Sequence, residues 1–133
     1  MLTIDTGFKA IPNASQEKVY TFVSDINNLQ FLMPDRVKNW QSDADSCTFT
    51  IQGMADIGMR IKERQPHGKL ILESFGKTPF AFTLDILFRE SGSGSEASIV
   101  FNGEVNMFLK MVVEQPLTNF FGMLLEKLPA QFS

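Results

Sequence analysis

The sequence is poor in the residues that carry most chemistry. It has one cysteine, one histidine, one tryptophan and one tyrosine in 133 residues. A lone Cys47 excludes an intrachain disulfide and fits a reducing compartment. With His67 it is too small a donor set to hold zinc, so no metal ligand is expected, and no cofactor either. A basic block is also missing. Twelve Lys and Arg are scattered among fifteen Asp and Glu, for a net charge of -3 and a pI near 5.1. A phosphate backbone demands clustered cations, so nucleic acid is not expected as a partner. No run approaches the roughly 18 consecutive apolar residues that would suggest a membrane span. The opening MLTIDTGFKA lacks the basic segment and apolar run of a secretory signal. The expectation is one cytoplasmic domain over 1–133. A phosphate-cradling loop is missing as well: SGSGS, Ser91 to Ser95, has no lysine and helix behind it.

What the chain has is phenylalanine, 13 of them, beside seven methionines. Phenylalanine supplies rigid bulk and methionine adaptable filler. Either a solid core or the wall of an apolar pocket could use both. The strongest pattern is the stretch Phe108 to Leu128. Leu109, Val112, Val113, Leu117, Phe120, Phe121, Leu124, Leu125 and Leu128 recur at helical spacing along one face. Such a helix would be roughly 30 Å long and needs a surface to lie against. Pro116 falls inside it and has no N–H for the Val112 carbonyl. That predicts a kink, or a hinge where helix and sheet part.

The rest reads mostly as strands. Thr3 to Ala10 is a first strand, weakened at Gly7. Asn13 and Gln16 make a capping box for a helix with Val19, Phe22, Val23 and Ile26 on its apolar stripe. Ser24 or Asp25 closes it or caps a shorter helix through Leu29 to Met33. Val37 to Ala44 is a strand of poor pattern, a candidate sheet edge. Cys47 to Ile51 alternates cleanly, and Met54 to Arg64 is longer, with Gly58 at a bulge or tight twist. Lys69 to Phe75, Phe80 to Phe88 and Ala97 to Val105 follow, the last two joined by SGSGS as a flexible hairpin loop. Short loops between consecutive strands mean an antiparallel meander. The predicted class is α+β, with a curved antiparallel sheet covered on its concave face by the long C-terminal helix.

Several segments together carry a resemblance. They are Phe8-Lys9-Ala10-Ile11-Pro12-Asn13-Ala14-Ser15 with Val19-Tyr20-Thr21-Phe22-Val23-Ser24-Asp25, then Leu32-Met33-Pro34, Gly53 before a long strand, Pro79-Phe80-Ala81-Phe82, and the final amphipathic helix. The chain resembles the helix-grip superfamily, which includes the birch pollen allergen, START domains and polyketide cyclase/dehydrase-like proteins. The resemblance implies about seven antiparallel strands around the last helix, two short helices after the first strand, and in many members an apolar ligand between them.

On that reading the cavity would be lined by Trp40, Met59, Phe80, Phe82, Leu84, Phe101, Val113, Leu117, Phe120, Phe121 and Leu124. The same residues could form a packed core, and Gly103 could leave space on the inner face or mark a bulge. The leading expectation is binding of an apolar or amphipathic small molecule such as a lipid, isoprenoid, aromatic or polyketide-like compound. A cyclase or dehydratase is the alternative, but it needs an ionisable group inside, and Asp56, Arg60, Asp85 and Glu104 read as outward. No catalytic residue is assigned. His67 sits in a turn, and Cys47 alternates with Phe49 and Ile51 as a buried apolar group. A third reading is a protein-binding scaffold with an exposed aromatic patch near Phe31 and Leu32. An edge strand at Val37–Ala44 would let two copies pair as a homodimer.

Overall fold

A computed structural model describes residues 1–132. The elements in order are β1 (Leu2–Asp5), β2 (Lys9–Ile11), α1 (Gln16–Ser24), a 3₁₀ helix (Ile26–Leu32), β3 (Val37–Ser42), β4 (Ser46–Ile51), β5 (Ala55–Gln65), β6 (Lys69–Ser74), β7 (Phe82–Ser91), β8 (Gly94–Gly103), α2 (Met107–Lys127) and a last 3₁₀ turn (Pro129–Phe132). The eight strands form one antiparallel sheet in the order β1-β8-β7-β6-β5-β4-β3, with β2 also on β8. β3 lies at an edge, as its weak pattern suggested.

The expected first strand is two strands. The chain turns at Gly7, φ +73°, where the Asp5 carboxylate accepts the Gly7 N–H at 2.9 Å. Both halves still pair with β8, Ile4 opposite Phe101 and Lys9 opposite Ala97. The helix cap also differs. Ser15, not Asn13, caps α1, accepting the Lys18 N–H at 3.2 Å, because Pro12 and Asn13 are spent in a turn. The Gln16 side chain reaches across to the sheet instead, donating to the carbonyls of Phe88 and His67. Asp25 caps the 3₁₀ helix.

The poor pattern of β3 has a cause. Asn39 sits at φ +57°, and the register with β4 slips by one residue between Lys38 and Gln41. A bulge of this kind breaks the two-residue alternation and bends the strand. The irregularity in β5 lies between Ile61 and Glu63 rather than at Gly58. SGSGS does join β7 and β8 as a hairpin, but only Gly92 and Ser93 lie outside the strands. Ser91 pairs with Gly94 in a tight hairpin, and Ser95 is buried in β8 with its hydroxyl on the Ala14 carbonyl at 2.8 Å.

Alternation puts charge on the outer face of the sheet. Arg60 meets Glu73 and Arg89 meets Glu96, each pair directly opposite across neighbouring strands, and Lys69 reaches Asp85 at 3.9 Å. These partly exposed pairs contribute little each; their effect is to keep that face wetted. The inner face carries Leu70, Leu72, Leu84, Ile86, Ile99 and Phe101, all buried, against one side of α2.

Asn106 caps α2 by accepting the Leu109 N–H at 2.8 Å, and the helix runs through Pro116 without interruption. Val113, Leu117, Phe120, Phe121, Leu124 and Leu125 are its buried face. One residue of the expected stripe falls outside it, however. Val112 is 56% exposed, and Met107, Phe108 and Met111 are more exposed still. Leu109 is half-buried and packs against the core, and full burial begins at Val113. Near the other end, the Lys127 ammonium donates to the Met33 carbonyl at 3.0 Å, tying α2 to the segment after the 3₁₀ helix.

Candidate functional site

Between the sheet and α2 lies a small internal cavity of about 30 Å³. Nine of the eleven residues expected at such a site lie on its wall: Met59, Phe80, Phe82, Leu84 and Phe101 from the sheet side, and Leu117, Phe120, Phe121 and Leu124 from the helix. Phe80 reaches it from outside the strand. β7 begins only at Phe82, and Phe80 sits in the preceding bend, edge-on to Phe82 and Phe101 at 6.3 and 6.2 Å.

The other two lie elsewhere. Val113 is buried in the core but not on the cavity wall. Trp40 is half-buried one layer further out. Its ring stacks on Phe49 at 5.6 Å, Phe49 stacks on Phe120 at 6.1 Å, and its indole N–H donates to Ser42 at 3.0 Å. The wall also includes Phe49, Ile51 and Ile57. Their alternation with Cys47 and Met59 had put them on the inner face, so the pattern contained the signal.

The cavity is far smaller than the roughly 300–1,000 Å³ of ordinary small-molecule pockets. Aromatic packing explains why. Phe101 touches Phe80, Phe82 and Phe121, with ring centroids 5.2 to 6.2 Å apart. Gly103 does not leave open space. A β-carbon there would stand 2.8 Å from two ring atoms of Phe101 and 3.2 Å from Val105. The volume freed by the glycine is taken up by the phenylalanine two residues earlier.

Every side chain on the cavity wall is apolar. Asp56, Arg60 and Glu104 are exposed, and Asp85 is engaged on the outer face. Asp56 accepts the Thr50 hydroxyl at 2.7 Å. His67 is exposed in its turn, with its ring 5.5 Å from Tyr20. Cys47 is buried, and burial, followed by the negative charge of Asp43, pushes its thiol up to about 12. It is a protonated core group, far from a thiolate nucleophile. Among the described residues no group of three or more His, Cys, Asp or Glu is placed to hold a metal ion, and no helix is long and apolar enough to cross a membrane.

A second space lies outside the first. A groove of about 350 Å³ runs between the segment before β3 (Pro34, Arg36), the β4–β5 turn (Ile51, Met54) and the middle of α2 (Gln115, Pro116, Asn119, Phe120, Met123). Ile51 and Phe120 belong to both walls. These two side chains are what the groove and the cavity share. Arg36 and the turn residues carried no sequence signal, because they converge only through the fold.

No family model matches the sequence, and no curated protein matches it either. Solved structures do match over nearly the whole chain. TTHA0849 from Thermus thermophilus is 16% identical with a TM-score of 0.78, covering 98% of this chain and 97% of its own. CV1439 from Chromobacterium violaceum is 17% identical with a TM-score of 0.75, covering 99% and 98%. The Aha1 dimer from Colwellia psychrerythraea is 13% identical with a TM-score of 0.72, covering 99% and 96%. At such identities the likeness establishes the fold and leaves the activity open. The chain has the helix-grip fold, an antiparallel sheet wrapped around its C-terminal helix.

Proposed function

We propose that this protein binds an apolar or amphipathic small molecule between the sheet and α2. One observation carries the reading: the cavity has a wholly apolar wall and shares Ile51 and Phe120 with the groove beside it. Removing apolar ligand surface from water is the driving force, at about 25 cal/mol per Å². The wall offers no ionisable group for general acid or base chemistry, so the reading is binding rather than cyclisation or dehydration. The cavity alone holds little more than a water-sized sphere. Rotation of Phe120 would join it to the groove, and the combined space reaches the lower end of the usual ~300–1,000 Å³ range. Met59 and Met54 are flexible enough to reshape around a guest.

Titration with the uncharged fluorescent probe N-phenyl-1-naphthylamine tests this. The expected result is a saturable fluorescence rise with one-to-one stoichiometry, confirmed as an adduct by native mass spectrometry. Linear, non-saturable uptake with no adduct would overturn it.

A second reading is favoured by the exposed Met107, Phe108, Met111 and Val112 on the first turns of α2. Monomers rarely leave such contiguous apolar surface bare, and a protein partner or second copy could cover it. Sedimentation of the purified chain as a monomer up to high concentration would count against self-association, and a dimer lost on Met111→Asp would support it.

A further inference from the structure

The groove has its own chemistry. Its floor is apolar, and its polar groups are Arg36, Gln115 and Asn119, with Arg36 the one charge among them. Building on the binding reading, we infer that the ligand is an amphipathic anion, an alkyl or aryl carboxylate. Its head sits on Arg36 in the groove and its tail passes Phe120 into the interior.

Arg36 is held in place for this. Its Nη2 donates to the Gln52 carbonyl at 3.0 Å, while its own carbonyl accepts the Gln52 N–H at 2.9 Å. Gly53 follows in the β4–β5 turn at φ +83°, a left-handed conformation suited to glycine, and a β-carbon there would meet Nη2 at 3.4 Å, an ordinary contact. A guanidinium carries five N–H donors in a planar fork suited to a carboxylate, and the bond to Gln52 uses one. The other three arginines are all paired, Arg60 with Glu73, Arg64 with Asp45 and Arg89 with Glu96. Among the described residues Arg36 is in no ion pair, and no carboxylate lines its groove. Asn119 adds donors. Its Oδ1 accepts from Gln115 at 3.0 Å, which leaves its NH₂ group to donate elsewhere. A cation and an amide donor above an apolar floor match a head group that is anionic and a body that is not.

The test compares decanoate with 1-decanol as competitors of N-phenyl-1-naphthylamine, in the wild type, Arg36→Gln and Arg60→Gln. Decanoate should bind about tenfold more tightly than decanol to the wild type, the scale of one charge-assisted contact. Arg36→Gln should collapse that ratio, and Arg60→Gln should leave it standing. Equal affinities in the wild type, or a preference that survives Arg36→Gln, would overturn the inference while leaving the binding reading intact. Failure of all three compounds to bind would remove the binding reading and this inference with it.

Discussion

The ring of Phe101 lies over Gly103, its Cε1 and Cζ atoms 2.8 Å from where a β-carbon at residue 103 would stand. The pair sits on β8 opposite α2, where Phe101 also meets Phe121 at 5.2 Å. Glycine and phenylalanine here act as one packing unit, the first supplying space and the second filling it.

Gly103→Ala should therefore push the Phe101 ring into the core and cost about 1–3 kcal/mol of stability, the usual range for overpacking. Urea denaturation would show a lower midpoint with an unchanged slope. Gly122→Ala is the contrast. It lies in α2 with nothing within 4 Å of an added β-carbon, and should stabilise the helix by roughly 0.5–1 kcal/mol.

Phe120→Ala should do two things at once. It removes a buried ring from the α2 face, costing about 3–5 kcal/mol. It also takes away one of the two side chains shared by groove and cavity. The variant should take up N-phenyl-1-naphthylamine more readily than the wild type at temperatures where both are folded, as judged by near-ultraviolet circular dichroism. A destabilised variant with no gain in uptake would show that Phe120 does not divide the two spaces.

Tyr20 is buried in T-shaped contact with His67 and Phe88, 5.5 and 5.6 Å away, and its hydroxyl has no hydrogen-bond partner among the described residues. A buried unpaired hydroxyl is a cost. Tyr20→Phe should leave stability unchanged or raise it by up to about 1 kcal/mol, read as a small upward shift in Tm. A loss of more than that would mean the hydroxyl is satisfied in solution.

Cys47 makes stability depend on alkaline pH. Its thiol titrates at about 12 when folded, against an ordinary 9.0. Below the lower value it is protonated in both states and adds no slope. As pH rises from 9.0 towards about 12 the unfolded chain gives up the proton and the folded one holds it, so stability falls. The wild type should lose stability more steeply than Cys47→Ala across that window. The same burial should keep Ellman's reagent off the native thiol at neutral pH and admit it in urea.

Much of the architecture was legible residue by residue. The alternation Phe82-Leu84-Ile86-Phe88 and its counterpart Ile99-Phe101 identified the inner face of the sheet, because a strand can bury only every second side chain. The period from Val113 to Leu128 identified the helix that covers it. Errors fell where local rules compete. Asn13 and Ser15 are both good caps, and only the turn at Pro12 decides between them. Val112 fits the helical stripe, yet no strand covers it, since periodicity says which face is apolar and not where the sheet ends.

Apart from the split of the first strand at Gly7, the sequence by itself determined the order of strands and helices, the apolar interior and the absence of charge from it, because these follow from spacing and residue type. Only the tertiary structure decided how much of that interior is empty. Void volume depends on how Phe80, Phe82, Phe101 and Phe121 pack against one another across a curved sheet, and on Gly103 making room for a ring. It also brought Arg36, Met54 and Asn119 to one groove. They come from a loop, a turn and a helix far apart in the chain, and no local pattern records a meeting that the fold alone arranges.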